Sequence, residues 1–334
     1  MFELLGIALL LAALLTFNSI ASVIMAGLWR VAGRATDGWT AAARARLLFS
    51  LRTVPALLSF LFVTLLLLPA YIAHEPRHAA ESVSLKLGLL AFLSATGLAV
   101  SIVRAIATHR ATAKLTSEWM RQGTPLKLDG INIDTYQIHH QFPLIGIVGF
   151  LRPRMFIASQ VLVLLTPEEI AAAIAHENGH LAARDNLKRG LLRACRDILL
   201  IIPSGRLLDK SWSDASEEAA DENAARQGNT VALDLASALV KIARIIPQGA
   251  RPTMPAGIFL LGDQETRGVK SRVGRLITIA ATERGSIAQS DVLTNLFAWG
   301  SAGMLLIAFA MAATNPYLLS RVHYLIEHAV HAMK

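Results

Sequence analysis

The chain has 334 residues, 54% hydrophobic and 17% charged, with a mean hydropathy of +0.47 and a net charge of +8. That is too apolar for an ordinary soluble enzyme and fits a polytopic membrane protein carrying one soluble domain large enough for its own core. In such a chain the basic excess reports topology and lipid contact; no basic–aromatic cluster suggests nucleic acid, and the single Cys195 forbids an internal disulfide.

Residues 2–28 are almost wholly apolar, begin with Glu3 and carry no Lys or Arg before Arg30, so they are expected to be a retained transmembrane helix rather than a cleaved signal. The loop 29–52 holds Arg30, Arg34, Arg44, Arg46 and Arg52 against Asp37, which places it in the cytoplasm and the N-terminus outside. A second span is predicted over 53–73, with Pro55 in its first turn and Pro69 near its exit. The following loop has no net basic bias, which suits the outer side. A third span covers 87–103, bracketed by Lys86 and Arg104. Arg104, His109, Arg110, Lys114 and Arg121 then put the next domain, residues 107–290, in the cytoplasm.

Between 126 and 164 the pattern turns extended. Lys127–Ile131 reads as a strand and turn, and 142–150 and 155–165 as β-rich runs, giving a small sheet. His139 and His140 are adjacent, so on a strand they face opposite ways and read as ordinary polar residues.

Thr166-Pro167-Glu168-Glu169 is a helix start: an N-cap, a proline at the first position and a capping-box glutamate. The helix carries His176-Glu177-Asn178-Gly179-His180, an HExxH pattern. Residues four apart share a helix face, so His176 and His180 can offer two imidazoles to one metal ion, with Glu177 beside them to handle a proton. This helix is predicted to run on to about residue 202, where Pro203-Ser204-Gly205 stops it. Arg184, Lys188, Arg189 and Arg193 form its basic face, near the inner leaflet or in solvent.

A third ligand should come from a second helix. Glu217 and Asp221 share one face there, so Glu217 could complete a His-His-Glu set while Asp221 takes a ring N–H of a ligating histidine. Glu218 and Glu222 form the same pattern one residue later, and spacing does not choose between the registers. That helix should end at Gly228-Asn229. Helices are then expected over 230–246 and 265–277, the latter with Arg267, Lys270, Arg272 and Arg275; 247–258 is an irregular loop and 282–290 a linker. A fourth span is predicted over 292–314. The tail, 315–334, has an apolar stripe suited to a helix on the outer leaflet, and Glu327, His328 and His331 are a remote second metal candidate.

HExxH, Arg184-Asp185 just after it and the Glu217…Asp221 pair resemble the membrane-embedded gluzincin metallopeptidases. These include the BlaR1/MecR1-like antirepressor peptidases of family M56 and the HtpX/Ste24-like peptidases of family M48. The segment Gly149-Phe150-Leu151-Arg152-Pro153-Arg154-Met155-Phe156-Ile157 before Thr166-Pro167-Glu168-Glu169, and three spans ahead of the domain, resemble the first more closely. The resemblance implies one Zn2+ ion held by His176, His180 and Glu217, Glu177 as catalytic base, and Asp221 and Asp185 as acids that orient the ligating histidines. It also implies an edge strand that holds the substrate backbone.

The expected fold is therefore an α-helical integral membrane protein of four transmembrane helices with a cytoplasmic α+β zincin-like domain. Zinc would activate water and polarise the scissile carbonyl while Glu177 moves the proton; Arg244 and Arg251 are candidate oxyanion donors. The expected partners are the lipid bilayer and a protein or peptide substrate, a repressor or a membrane protein, with no nucleic acid. The expected activity is regulatory proteolysis at the cytoplasmic face. An HtpX-like quality-control peptidase and a non-catalytic zinc-binding scaffold are the alternatives. Only some twenty residues follow the predicted fourth span, where the antirepressor receptors carry a penicillin-binding sensor, so no β-lactam sensing is expected.

Overall fold

The computed structural model describes residues 2–75, 83–199, 205–246, 266–281 and 307–333. Three of its helical segments, Phe2–Thr36, Ala41–His74 and Leu85–Gln122, are long and apolar enough to cross a membrane. The first is α1 (Phe2–Ala32) closed by a 3-10 turn. The second is α2 (Ala41–Phe62), a π-helical turn at Val63–Leu67, and α3 (Leu68–His74). Proline accounts for the irregularity: Pro69 sits at the start of α3, where its missing N–H and its ring break the regular ladder just behind it. The third is α4 (Leu85–Gln122), started by Ser84, whose side chain accepts from Leu87 N.

These helices correct the sequence boundaries. Arg44, Arg46 and Arg52 are not in a loop; they belong to α2, which begins at Ala41, and Pro55 lies inside that helix. The expected division between residues 106 and 107 falls inside α4, a continuous rod from the apolar layer into the domain beyond. Charge cut both predicted spans short, the second at its start and the third at its end, although arginine is a good helix former and prolongs a helix beyond its apolar part.

The sheet has four short strands: β1 (Thr124–Leu126), β2 (Thr135–Ile138), β3 (Ile145–Val148) and β4 (Arg154–Ala158), in the order β1-β2-β4-β3. β2 and β4 are parallel, while β1 and β3 pair antiparallel to their neighbours, so β3 is an edge. Two expectations fail here. Lys127–Ile131 forms no strand, since Gly130 takes a positive φ of 85° in a turn. The run 155–165 splits into β4 and a short helix α5 (Ser159–Leu164), because an unbroken apolar stretch fits either structure.

α6 (Pro167–Ala183) follows, with the anticipated capping box complete: the Thr166 side chain accepts from Glu169 N, and Glu169 accepts from Thr166 N. α6 does not run on to residue 202. It stops at Arg184, which takes a left-handed conformation (φ 54°), and α7 (Asp185–Leu199) leaves in a new direction. α8 (Gly205–Ala225), α9 (Asn229–Ile245) and α10 (Thr266–Ala281) complete the domain, and α11 (Pro316–Met333) ends the chain.

The main core lies between the sheet and helices α6, α9 and α10, around Phe156, Ile157, Ala173, Leu235, Leu239 and Leu276. A second core joins α8 to the spans, where Leu208, Trp212 and Ala215 meet Ala26 and Leu48. α7 is equally tied in: a Cβ on Gly97 of α4 would strike the Ile198 carbonyl. Residues 307–313 are helical, while most of the predicted fourth span, the 247–258 loop and the 282–290 linker lie outside the described residues. The tail stripe is partly used by the chain itself, since Val322 and Ile326 pack with Leu9, Val63 and Leu67.

Candidate metal centre

α6 and α8 cross closely because both are small where they touch. A Cβ on Gly179 would lie 3.0 Å from Ala220 Cα and 3.2 Å from Asn223 Cβ. Asn223 Nδ2 adds a hydrogen bond to the Ala175 carbonyl at 3.2 Å. This approach brings Glu217 of α8 against the two histidines of α6. Ligand atoms of His176, His180 and Glu217 all lie within 4.8 Å of one another.

The rings are aimed from behind. His176 Nδ1 lies 2.9 Å from Asp221 Oδ1, and His180 Nδ1 pairs with Asp185 Oδ2 at 2.7 Å. Asp185 reaches His180 because the left-handed turn at Arg184 redirects the chain between them. Each histidine therefore turns Nε2 to the centre, 3.7 Å (His176) and 3.6 Å (His180) from a Glu217 oxygen. His176 Nε2 is buried and has no hydrogen-bond partner. A buried nitrogen left in that state is costly unless something else binds it. Tetrahedral zinc with nitrogen and oxygen ligands at about 2 Å needs donor atoms about 3.3 Å apart. The histidine–glutamate distances are close to that spacing, and the three ligand atoms, within 4.8 Å of one another, would draw together by up to about 1.5 Å to close on such an ion.

The electrostatics agree. Burial raises the Glu217 carboxyl, but His180, Arg272 and His176 outweigh it and hold the group well below the usual carboxylate range. Burial lowers His180, and the Glu217 and Asp185 carboxylates overcome it, carrying the ring up to about 10. Two buried imidazoles facing an ionised carboxylate form a site that favours a cation, a proton or a metal. Glu177, also buried, is raised chiefly by desolvation, against the pull of His180 and His176. Its Oε2 accepts a hydrogen bond from Ile147 N on β3 at 3.2 Å. A carboxyl raised above its ordinary value and held at a sheet edge is suited to taking and returning a proton.

The two carboxylate registers have different partners. Glu217 and Asp221 face the histidines. Glu218 and Glu222 turn to the spans: Glu218 pairs with Arg44 at 3.0 Å, and Glu222 accepts from Ala41 N at the start of α2. Sequence reasoning missed the arginines behind this arrangement. Arg272 holds Asp221 with two hydrogen bonds and stands 3.1 Å from Glu217 Oε2, while Arg189 donates to Glu217 Oε1 at 3.2 Å. Arg275 reaches Glu218 and Glu222 in the same manner. The signal was present: Arg272 and Arg275, one turn apart on α10, match two acid pairs one residue apart on α8. Of the arginines expected as oxyanion donors, Arg244 is exposed on α9, away from the cluster, and Arg251 lies outside the described residues. His139 and His140 take no part: His139 Nδ1 meets Ser159 Oγ, and His140 Nδ1 accepts from Phe142 N. Tail residue His328 meets the Tyr324 ring edge-on, with centroids 4.3 Å apart.

With this geometry in place, the comparison with protein families points to one class. The model of peptidase family M48 matches residues 147–209, which hold His176, Glu177, His180 and Asp185 and stop before Glu217. The chain is thus similar over that stretch to a metallopeptidase family whose members bind zinc, the second of the two families its motifs resemble. No curated protein matches it.

Proposed function

We propose that the protein is a membrane-bound zinc endopeptidase that cuts a protein substrate close to the bilayer. The observation that carries this is the convergence of His176, His180 and Glu217, with His176 Nε2 buried and unpartnered, beside a raised Glu177. His176, His180 and Glu217 would hold the ion, while Asp221 and Asp185 fix the ring orientations. Zinc in this position supplies Lewis acidity for water and for the scissile carbonyl. Glu177 takes the proton from the attacking water and returns it to the leaving amine. The outer edge of β3 lies against the site, where the Ile147 N–H bonds Glu177 and the Asn186 side chain bonds the Ile147 and Gly149 carbonyls, so an extended substrate would pair there by displacing those bonds.

The basic ends of α1 and α2 and the lower half of α4 lie on the same side as the centre, which supports a cytoplasmic domain by the positive-inside rule. The reading we favour for the biological role is regulatory proteolysis of the antirepressor type, on the strength of three apolar helices ahead of the domain. The match to family M48 favours a second reading, quality-control cleavage of membrane proteins, with the same chemistry. A zinc-binding scaffold without activity is disfavoured by the placement of Glu177 against both the histidines and β3.

The test is Glu177→Gln in the full chain in detergent. It should keep one zinc per chain and lose hydrolysis of casein by about 100-fold or more. Full activity in that variant, or a wild-type protein that binds no zinc, ends the proposal.

A further inference from the structure

Successive residues of β3 point their backbone groups to opposite sides. Ala158 N donates to the Leu144 carbonyl, and β3 pairs with β4 in register from Ile145 opposite Ile157 to Val148 opposite Arg154. The even-numbered residues therefore bond β4, while Ile147, and Gly149 just beyond the strand, turn their backbone groups outward. Side chains of the same chain meet these groups. Ile147 N donates to Glu177 Oε2 at 3.2 Å, and Asn186 Nδ2 donates to the Ile147 carbonyl at 2.9 Å and to the Gly149 carbonyl at 3.1 Å. Both hydrogens of the Asn186 amide are thereby used.

These partners imitate a neighbouring strand. An extended chain laid antiparallel on β3 would offer Ile147 a carbonyl for its N–H and an N–H for its carbonyl. Glu177 presents the first and Asn186 the second, so two side chains stand where one substrate residue would pair. The left-handed turn at Arg184 aims Asn186 as it aims Asp185, since α7 starts directly after it. Asn186 lines the cleft of about 380 Å³ that contains Glu177 and His180. It equally lines a cavity of about 540 Å³ between α4 and α7, with Thr108 and Thr112 on the α4 wall. The half-buried side chain thus stands on the divide, with open space on the side away from the cleft.

We propose that Asn186 is a displaceable latch on the substrate-binding edge: it occupies the β3 carbonyls in the resting chain and swings toward the α4–α7 cavity when the backbone of an extended substrate takes its place. The inference rests on the peptidase reading and deepens it. Asn186 is a positioning residue; it competes with the substrate for Ile147 and Gly149 and touches no reacting atom. The exchange is coupled to the chemistry. A substrate carbonyl that takes the Ile147 N–H releases Glu177 Oε2, so the base is freed when an extended chain is seated beside it. A folded segment that cannot pair with Ile147 leaves both bonds in place, which selects unfolded, extended stretches of protein.

The experiment uses the zinc-loaded full chain in detergent and a fluorescent casein peptide that the wild type cuts. Asn186→Ala removes the competing amide and should lower KM about fivefold, the size of one or two net hydrogen bonds. Asn186→Asp has the same shape but cannot donate to a carbonyl; it should act alike, and it decides the matter if the alanine variant fails to fold. In a Glu177→Gln background, which keeps an oxygen for Ile147 N, the peptide Kd by fluorescence anisotropy should fall by the same factor. Copies of the peptide N-methylated at successive backbone positions then locate the exchange. At the position whose N–H meets the Ile147 carbonyl, methylation should abolish the gain. A side chain that merely ties α7 to β3 predicts binding that is unchanged or weaker in both variants. That result, or a gain that no methylation removes, overturns the proposal. A zinc-loaded wild type that cuts neither casein nor any peptide sinks the peptidase reading itself, a different result from cleavage without a gain in the variants.

Discussion

Arg272 grips Asp221 through two parallel hydrogen bonds, Nε to Oδ2 at 2.8 Å and Nη2 to Oδ1 at 2.6 Å. Asp221 in turn faces His176, so an arginine on α10 acts on the metal centre through the acid that orients a histidine. The same guanidinium stands 3.1 Å from Glu217, so one planar fork holds both of the α8 carboxylates that face the histidines. Burial opposes ionisation of Asp221, but the Arg272 charge and hydrogen bonds hold it below the usual range.

Removing that clamp should loosen the metal. Arg272→Ala leaves Asp221 buried beside His176 without its counter-charge, and outer partners of this kind are worth about 10- to 100-fold in metal affinity. Arg272→Lys should recover little, because an ammonium cannot match two oxygens at once. Zinc affinity by chelator competition, with casein hydrolysis alongside, measures both. Unchanged affinity in Arg272→Ala would show that Asp221 needs no clamp.

The spacing of α6 and α8 gives a second prediction. Gly179→Ala puts a methyl 3.0 Å from Ala220 Cα, a backbone atom that cannot swing aside. The helices must part by a few tenths of an ångström, which draws Glu217 away from His176 and His180. Zinc binding should weaken while helix content is kept, although alanine is the better helix former by about 1 kcal/mol. Circular dichroism and zinc titration on the same sample separate the two effects. A variant with wild-type zinc affinity would show that the close contact does not set the ligand distance.

The legible parts of this protein were those written in short range. The capping box at Thr166 and the His176 and His180 pair follow from spacing on one helix; spacing left the Glu217–Asp221 and Glu218–Glu222 registers open, the family resemblance favoured the first, and the structure sets Glu217 beside the two histidines. What escaped was set by contacts between distant segments. The break at Arg184 has no glycine or proline to mark it; the turn is held by the Asp185 side chain on His180. Arg52 looked like a loop charge and is a buried group of α2, because its partner Asp209 lies 157 positions further along. Arg272 read as one of several helix cations until α8 supplied its acids. Strands of three to five residues left too little alternation to place β1 and β2.

Glu169 supplies a pH dependence. It is buried, accepts from Ser237 Oγ at 2.6 Å and pairs with Lys241 at 2.7 Å. Burial raises its pKa, but the Lys241 and Ser237 hydrogen bonds and the capping bond from Thr166 outweigh it, and the net shift is downward from the ordinary 4.5. A carboxyl whose folded value is depressed adds stability that is complete above its unfolded value, about 4.5, and is lost as pH falls through the lower folded value. Glu169→Gln should therefore be less stable than wild type by about 1–2 kcal/mol near neutrality, the half-exposed Lys241 being partly screened. The gap should close in acid. Thermal unfolding in detergent across this range tests the sign; a gap that widens below pH 4.5 contradicts it.

The last prediction concerns how α8, the helix that carries Glu217, is anchored among the long apolar helices. Arg52 of α2 is almost wholly buried and pairs with Asp209 of α8 at 3.1 Å, with Arg196 of α7 at 3.7 Å on the other oxygen. A Cβ on Gly205 would strike the Arg52 guanidinium, so α8 starts with glycine where this ion pair needs room. Asp209→Asn removes one charge and leaves the other in a poorly solvated place, which costs about 3–5 kcal/mol. Replacing both partners with apolar residues of similar size, Arg52→Met with Asp209→Leu, removes both desolvation penalties and should return stability to near the wild-type level. Melting temperatures of wild type, single and double variants in detergent form the cycle, and zinc content per folded chain shows whether Glu217, further along α8, keeps its place. A double variant less stable than Asp209→Asn would mean that Arg52 and Asp209 are each held by other groups, and the pair would not be what fixes α8 to α2.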